Sequence, residues 1–269
     1  MPNEDNIYNE VMGSKKYSGL YEPLVKRICE EEHIKYKNNS DRVKAVKTKL
    51  HLLYGAFLKQ SLREKANILL DKGDIDGILR LHSSTLERIG HYKKFYEYIF
   101  KYAASGTILD IGCGYNPLSV SYMPEKPAFY YAFDIDYNIA AFIRRYFEIS
   151  GLSNVCGCMD VITETPRQAA DTAFLFKLLP VIESQKPGRG LKLLKELKVK
   201  NIVATYPTKS LGGKNKGMRK NYSSAFENMV SGEFEIINSD IVGDELIYIL
   251  TRHTHKHLPF IYGIMKTLV

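Results

Sequence analysis

The spacing of hydrophobic and polar residues divides the chain into two parts. Up to about residue 104, apolar residues recur at three- and four-residue steps, and no run shows the two-residue alternation of a strand. From Thr107 onward, short apolar runs alternate with segments of helical spacing, which is typical of parallel strands joined by crossover helices. The sequence therefore predicts a helical N-terminal part followed by an α/β sheet.

The predicted sheet contains five parallel strands and a final antiparallel pair joined by Gly243-Asp244. The strands are expected at 107–111, 129–134, 154–159, 172–176 and 201–206, with the pair at 234–242 and 245–251. Helices are expected near 117–123, 138–150, 181–198 and 221–231. We expect three segments, namely a helical extension at 1–105, the sheet domain at 106–252 and a basic and apolar tail at 253–269.

One helix of the N-terminal part combines an apolar stripe with a basic face. It is expected to begin at Ser40 or Asp41, either of which can cap a helix, and to run to about Gln60. The apolar stripe consists of Val43, Val46, Leu50, Leu53 and Phe57. The basic residues that lie largely off this stripe include Lys44, Lys47 and Lys49. A further helix is predicted from Leu86 to Ala104, with an aromatic stripe that faces the core.

Composition limits the class of protein. At 269 residues with 45% hydrophobic content, the chain can build a core and fold alone, and no obligatory protein partner is evident. It has no run of about 18 apolar residues and no signal-peptide pattern, so we expect a cytoplasmic protein with no membrane partner. The four cysteines lack the CxxC spacing of zinc sites, so neither a metal site nor a disulfide framework is predicted.

The net charge of +8 is concentrated in two segments. Between Lys177 and Lys220 there are twelve Lys and Arg residues against two Glu, and between Lys35 and Lys65 nine against one Asp and one Glu. A solvated helix face explains many such runs, but two basic segments beside an α/β fold favour a nucleic-acid partner.

A glycine turn follows the first predicted strand. The run Thr107-Ile-Leu-Asp-Ile-Gly-Cys-Gly114 leads from an apolar stretch through Asp110 into Gly112 and Gly114. A second strand ends at Asp134, about 20 residues later, where a carboxylate can accept hydrogen bonds from ribose hydroxyls. Pro117 stands where a dinucleotide site needs a small residue, so S-adenosylmethionine (SAM) fits this turn better than NAD.

Three carboxylates lie at successive predicted strand ends, an arrangement that matches the Rossmann-like sheet of SAM-dependent methyltransferases. Asp110 would help to hold the methionine amino end of SAM, Asp134 would bind the ribose, and Asp160 would accept from the adenine amino group. Each residue alone could cap a helix, but helix capping does not easily explain three of them at successive strand ends.

The sequence around the fourth predicted strand disfavours some methylation targets but does not identify one. Asp171 to Pro180 lacks the Pro-Pro-aromatic motif that binds an exocyclic amine, and the chain has no Pro-Cys pair to attack a pyrimidine ring. Guanine N7 needs neither device because its lone pair is already nucleophilic and carries no proton. Methylation of this atom would rest on orientation and desolvation, without an obligatory general base.

Motifs along nearly the whole chain resemble the aminoglycoside-resistance 16S ribosomal RNA methyltransferases of the Arm/Rmt and actinomycete-producer type. The motifs are Leu79-Arg-Leu-His-Ser-Ser-Thr-Leu-Glu-Arg88, Asp110-Ile-Gly-Cys-Gly-Tyr-Asn-Pro117, Leu175-Phe-Lys-Leu-Leu-Pro180, Tyr206-Pro-Thr-Lys-Ser210, Gly217-Met218 and Asn221-Tyr222. The resemblance implies SAM-dependent methylation of guanine N7 in the decoding site of 16S rRNA. It also implies a helical extension that docks on the assembled small ribosomal subunit.

The resemblance assigns roles residue by residue. Arg88 would pair with the SAM carboxylate, and Tyr206 or Tyr222 would stack on a flipped guanine. The implied cofactor-binding set is Arg88, Asp110, Gly112, Gly114, Asp134, Ile135, Asp160, Lys177 and Leu178. The implied RNA-binding set adds Lys209, Lys214 and Lys216 at the RNA entrance to the basic-face residues Lys44, Lys47 and Lys49.

The sequence departs from the family pattern near the predicted RNA entrance. Arg219 and Lys220 stand where many members are acidic, and Thr205-Tyr-Pro207 replaces the usual Ser-Phe-Pro. These changes bear on target geometry more than on SAM binding. They leave open a homologue that binds SAM but modifies another RNA, or modifies ribosomes too poorly to confer resistance. Two further alternatives are a ribosome- or RNA-binding protein with a SAM pocket but no transfer activity, and an enzyme that methylates adenine N1 in the same rRNA region.

Overall fold

The structure, a computed structural model, describes residues 2–54, 60–208 and 218–253. Within these residues, seven helices precede the first strand. They are α1 (Pro2–Met12), α2 (Glu22–Lys35), α3 (Asn39–Leu53), α4 (Gln60–Asp71), α5 (Ile75–Leu79), α6 (Ser83–Leu86) and α7 (Tyr92–Phe100). The predicted helical character of the N-terminal part is confirmed for the described residues.

Helix α3 carries the predicted apolar stripe, but its bounds differ from the prediction. Val43, Val46 and Leu50 are buried, as expected. The N-cap is Asn38, rather than Ser40 or Asp41, because the Asn38 side chain accepts a hydrogen bond from the backbone N–H of Asp41. The helix ends at Leu53 rather than near Gln60, which begins α4, and residues 55–59 lie outside the described residues.

Helix α7 is shorter than the helix predicted from Leu86 to Ala104. It begins only at Tyr92, because the chain first forms the short helix α6 and then a turn through Gly90. The aromatic stripe is nevertheless confirmed, since Tyr92, Phe95 and Tyr96 are buried against the sheet.

A mixed seven-stranded sheet forms the centre of the molecule. Its strands are β1 (Thr107–Ile111), β2 (Phe129–Asp134), β3 (Asn154–Cys158), β4 (Ala169–Phe176), β5 (Lys198–Pro207), β6 (Phe234–Val242) and β7 (Glu245–Arg252). The spatial order is β3-β2-β1-β4-β5-β7-β6, with β1 to β5 parallel and β7 antiparallel to both β5 and β6. All seven strands were predicted, and their apolar runs explain why.

The order of the parallel strands reverses between β1 and β4. From β1 the chain proceeds outward through β2 and β3, then crosses back to β4 on the other side of β1. At such a switch point the connections leave in opposite directions and open a crevice beyond the carboxyl ends of the strands. The fold therefore places a ligand site next to Ile111, Asp134 and Phe176.

The connections after the strands are helical, with two differences from the prediction. They comprise a 3₁₀ helix (Asn116–Tyr122), α8 (Tyr137–Ser150), α9 (Leu179–Gln185), α10 (Arg189–Glu196) and α11 (Met218–Val230). The helix predicted at 181–198 is broken into α9 and α10, because Gly188 has a φ of +81° directly after Pro187. The helix predicted at 117–123 is 3₁₀ rather than α.

Buried residues form three clusters. One cluster lies on one face of the sheet and includes residues of α4, α5, α7 and α8, and a second fills the other face beneath α9, α10 and α11. A third, smaller cluster holds α1, α2 and α3 together, with Val11, Ile28 and Val46 at its centre. Helices α4, α5 and α7 therefore belong to the sheet's core, whereas α1 to α3 have a core of their own.

Among the described residues, none of the helices has the length and hydrophobicity of a transmembrane span.

Candidate functional site

A cavity of about 280 Å³ lies at the carboxyl ends of β1, β2, β3 and β4. It brings together all nine residues of the predicted cofactor-binding set, which are Arg88, Asp110, Gly112, Gly114, Asp134, Ile135, Asp160, Lys177 and Leu178. The N-terminal helices close one side, where Leu24, Leu53 and Arg63 also line the cavity. We call this cavity the strand-end pocket.

The glycine turn shapes the floor of the strand-end pocket. Gly112 and Gly114 have φ values of +65° and +50°, which L-residues with side chains rarely adopt. A Cβ atom added to Gly112 would also lie 3.1 Å from Leu178 Cδ1. Both glycines are therefore needed for the conformation that opens the pocket.

Asp110 is buried at the end of β1, with 1% of its surface exposed. Its Oδ2 accepts hydrogen bonds from Asn116 Nδ2 at 2.8 Å and from the Tyr130 hydroxyl at 2.7 Å. Burial raises the pKa of Asp110 to about 6, although these two hydrogen bonds oppose the rise. A cationic ligand group in the pocket would stabilise the ionised carboxylate.

Asp134 organises the turn around the pocket. Its Oδ2 accepts from the Gly114 backbone N–H at 2.8 Å, and its Oδ1 accepts from the N–H groups of Ile135 and Asp136 at 2.7 and 3.1 Å. Burial raises the pKa of Asp134, and the three backbone donors oppose this effect. The carboxylate faces the pocket from the strand end, which is the placement that ribose recognition requires.

Asp160 has an ionic partner that sequence reasoning missed. Its Oδ2 accepts from Arg27 Nε at 2.6 Å, and its Oδ1 accepts from the Ile162 N–H at 3.0 Å. Arg27 belongs to α2 and also donates to Gln185 of α9. Each carboxylate oxygen has a second lone pair, so the adenine role predicted for Asp160 requires that it accept from both a ligand and Arg27.

Arg88 also lines the pocket, beside the Asn116 side chain that donates to Asp110, and is 5% exposed. Its guanidinium donates to both oxygens of Glu245, from Nε at 2.6 Å and from Nη2 at 3.1 Å. It lies over the ring of Phe176, with 4.9 Å between the guanidinium carbon and the ring centroid. Because arginine has five N–H donors, the pair with Glu245 leaves others for a ligand carboxylate.

Lys177 adopts an unusual backbone conformation at the end of β4. Its φ is +56°, and it is the one non-glycine residue with positive φ in the described part of the chain. The backbone N–H donates to Thr205 Oγ1 at 3.0 Å, and Nζ pairs with Glu87 and, at 3.2 Å, with Glu245. Strained residues of this kind cluster at ligand sites.

A second network ties the N-terminal helices to the end of β2. Asp136 is fully buried and accepts from Arg63 Nη2 at 2.8 Å and from the Tyr54 hydroxyl. Beside it, Tyr21 N–H donates to the Ile135 carbonyl at 2.8 Å. Sequence reasoning missed these partners because they lie far from Asp136 along the chain.

The predicted RNA-binding lysines have different surroundings. Lys44 is exposed on α3, and Lys47 lies 3.7 Å from Glu10 in a weak surface pair. Lys49 is less available to RNA than the other two, because its Nζ pairs with Glu31 and, at 3.4 Å, with Glu32. The other three residues of the set, Lys209, Lys214 and Lys216, lie outside the described residues.

The structure disfavours Tyr206 as a base-stacking residue. It is 5% exposed, and its ring packs against Phe226 at 5.2 Å and Tyr248 at 6.2 Å between centroids. These contacts occupy the ring within the core. Tyr222 lies in α11, and its side chain falls outside the description.

Among the described residues, no group of three or more His, Cys, Asp or Glu side chains is arranged to hold a metal ion. The strand-end pocket instead combines carboxylates, which can accept from hydroxyl and amino groups, with a guanidinium that can bind a carboxylate. This donor and acceptor set fits an amino-acid-bearing nucleoside such as SAM.

The strand order and the strand-end pocket define the class of Rossmann-like SAM-dependent methyltransferases. Within that class, the chain belongs to the FmrO ribosomal RNA methyltransferase family, whose model matches residues 13–249. The predicted family and fold class are therefore confirmed.

Relatives and solved structures match over nearly the full chain. The 16S rRNA (guanine(1405)-N(7))-methyltransferase of Serratia marcescens is 33% identical, and the match covers 93% of this chain and 99% of that protein. The enzyme of the same name from Micromonospora rosea is 31% identical over 91% of this chain and 96% of that protein. The 16S rRNA methyltransferase RmtF in complex with S-adenosyl-L-homocysteine has a TM-score of 0.87 and 30% identity, with 94% and 99% of the two chains covered. The 16S rRNA methylase RmtB has a TM-score of 0.84 and 30% identity, with 93% and 98% covered.

Proposed function

We propose that this protein transfers the methyl group of SAM to N7 of a guanine in the decoding site of 16S rRNA, within the assembled small ribosomal subunit. The observation that carries the proposal is the strand-end pocket itself, which unites Arg88 and the carboxylates of Asp110, Asp134 and Asp160. It occurs in a chain whose full-length relatives are named as methyltransferases for this guanine atom. A methyl group at N7 adds charge and bulk to the decoding site, so we expect aminoglycoside resistance to follow.

The pocket residues divide the binding of the cofactor among them. Arg88 would hold the carboxylate of the methionine part, and Asp110 would favour its ammonium. Asp134 would accept from the ribose hydroxyls, and Asp160 from the adenine amino group. SAM supplies a methyl group on a positively charged sulfur, which makes that methyl group electrophilic.

The protein's own contribution to the reaction is orientation. Guanine N7 presents a lone pair and no proton, so no side chain has to act as a general base. The pocket walls would shield the bound cofactor from water, and the residues at the mouth would align N7 with the methyl group. Lys177 and Leu178 are suited to this task, since both line the pocket where β4 ends.

The docking role of the N-terminal extension is part of the proposal. Helices α1, α2 and α3 have their own small core and present Lys44 and Lys47 toward solvent. Lysines on such a surface would contact rRNA phosphates, and association would depend strongly on salt. This separate core supports a docking unit made of α1 to α3, which is shorter than the predicted segment 1–105.

Transfer of radiolabelled methyl from SAM to three purified substrates tests the proposal. The substrates are small ribosomal subunits, free 16S rRNA and large subunits. We expect label in the small subunits rather than in free 16S rRNA, because the proposed docking requires the surface of the assembled subunit. Label in large subunits would contradict the target, and intact cofactor and ribosome binding without label would favour a non-catalytic binding protein.

A further inference from the structure

Glu245 is a buried carboxylate at the edge of the strand-end pocket, contributed by the C-terminal hairpin. It is the first residue of β7, and 2% of its surface is exposed. It lies 157 residues from Arg88 in sequence, yet it binds both Nε and Nη2 of that guanidinium. It also lies 3.2 Å from Lys177 Nζ. One acidic side chain thus contacts two residues of the predicted cofactor-binding set.

Glu245 remains ionised in this environment. Burial alone would raise its pKa, but the charges of Arg88 and Lys177 outweigh burial and the pKa lies below its usual value. A full negative charge is therefore held beside the two cations. Such a charge-assisted, two-pronged pair fixes both the distance and the plane of the guanidinium.

Glu245 makes shorter hydrogen bonds with Arg88, at 2.6 and 3.1 Å, than Asn116 does at 3.5 Å. The guanidinium carbon lies 4.9 Å from the ring centroid of Phe176 and 5.5 Å from that of Phe95. Aromatic rings restrict tilting of the group, but they do not select which N–H groups face the pocket. Because Glu245 takes the Nε donor and one Nη2 donor, the second Nη2 donor and both Nη1 donors remain, and Nη1 lies on the side of Asn116, which lines the pocket.

We propose that Glu245 is a positioning residue for the cofactor, which sets Arg88 to receive the SAM carboxylate and retains Lys177 at the end of β4. The inference rests on the proposed function, in which Arg88 binds that carboxylate. It gives the β6–β7 hairpin a part in cofactor selection, because ligands without a carboxylate would gain nothing from the alignment.

Two ligands separate positioning from a general structural role. S-adenosylhomocysteine contains the amino-acid carboxylate, whereas 5′-methylthioadenosine keeps the nucleoside and lacks the amino-acid part. We expect Glu245→Gln to weaken binding of S-adenosylhomocysteine about tenfold or more in calorimetric titration. Binding of methylthioadenosine should remain within about twofold of the parent, because its contacts do not involve Arg88.

Three further variants complete the experiment. Glu235→Gln makes the same change at an exposed site on the same hairpin and should leave both affinities unchanged. Glu245→Asp keeps the charge but shortens the side chain, so it should also weaken S-adenosylhomocysteine binding more than methylthioadenosine binding. It replaces Glu245→Gln in the experiment if that variant does not fold. In an Arg88→Met background, Glu245→Asp should cause a smaller further loss of S-adenosylhomocysteine binding than it causes in the parent, because only its contact with Lys177 remains.

Equal losses for the two ligands, or no loss for either, would overturn the positioning role. These outcomes differ from failure of the proposed function itself. In that case the parent protein would fail to bind S-adenosylhomocysteine or to methylate the small subunit, whatever residue stands at 245.

Discussion

At the scale of single residues, Asp110 links cofactor binding to pH. Its pKa is about 6 in the protein because the carboxyl is buried, so it takes up a proton as the pH falls below that value. A bound ammonium group would favour the ionised form and lower this pKa. Binding below pH 6 must then release a proton, and the affinity should fall as the pH falls.

The first prediction concerns this dependence. The affinity for S-adenosylhomocysteine should be nearly constant from pH 7 to 8 and should fall by up to about tenfold per unit below pH 6. Calorimetric titration across this range measures the effect. Asp110→Asn, which cannot ionise, should bind weakly at every pH without this slope, and a parent profile that is flat down to pH 5 would contradict the prediction.

The second prediction concerns Asp134. Asp134→Ala removes the acceptor of three backbone N–H groups and the proposed ribose ligand, so affinity for S-adenosylhomocysteine should fall about tenfold or more. The matched control is Asp240→Ala, which changes an exposed aspartate on β6 and should bind as the parent does. Parent-like titration of Asp134→Ala would remove the ribose assignment.

Residue roles were predictable from the sequence where a functional side chain directly follows a recognisable strand. Asp110 and Asp134 follow apolar strands directly, and strand ends meet at one edge of a parallel sheet. Glu245 and Arg27 gave no such signal. Their partners are 157 and 133 residues away, and only the folded chain pairs them.

At the scale of secondary-structure elements, helix α2 is joined to the strand-end pocket by the Arg27–Asp160 pair. Both side chains are largely buried, with 12% and 3% of their surfaces exposed. Removing one partner of a buried pair leaves the other charge uncompensated, which costs more than removing both.

The third prediction compares the loss of one partner of this pair with the loss of both. Arg27→Met should lower the free energy of unfolding by about 3 kcal/mol. The double variant Arg27→Met/Asp160→Asn should be more stable than the sum of the single changes predicts, by at least about 1 kcal/mol. Urea denaturation of the four proteins without cofactor measures this coupling, and strictly additive effects would show that the pair does not join helix and strand.

The fourth prediction concerns the basic face of α3. Lys44→Glu/Lys47→Glu should weaken association with small subunits about tenfold or more. The slope of the logarithm of the association constant against the logarithm of the salt concentration should become less negative by roughly 1 to 2. Lys49 is left unchanged because it pairs with Glu31 and Glu32, and its reversal would perturb folding.

Filter binding at several salt concentrations measures the effect. Lys94→Glu/Lys101→Glu reverses two exposed lysines near α7 and is the control for net charge. Cofactor affinity should be unchanged in both variants. Ribosome affinity that falls equally in both would show a general charge effect and exclude α3 as the docking face.

Elements were predictable where one local pattern dominated. Each strand contains a run or alternation of apolar residues, so all seven were located from sequence. The long helix predicted at 181–198 failed because apolar spacing continues across Pro187 and Gly188, although the backbone turns there. The division of the N-terminal helices between two cores was not predictable, because an apolar stripe does not reveal which surface covers it.

At the scale of the whole molecule, the cofactor pocket and the proposed docking unit share a wall. Leu24 of α2 and Leu53 of α3 line the strand-end pocket, and the same two helices build the small core beneath Lys44 and Lys47. The excess of basic residues favours long-range attraction to RNA. The proposed docking unit would determine which surface of the protein meets the RNA.

Identification of the modified nucleoside tests the central claim most directly. Small subunits would be incubated with SAM and the protein, and their 16S rRNA digested for mass spectrometry and cleaved chemically at 7-methylguanosine to locate it. We expect one new 7-methylguanosine in the decoding site, formed by the parent and lost or strongly reduced with Asp134→Ala. A new 1-methyladenosine in that region, or no new nucleoside despite intact cofactor and ribosome binding, would contradict guanine-N7 methylation as the activity of this protein.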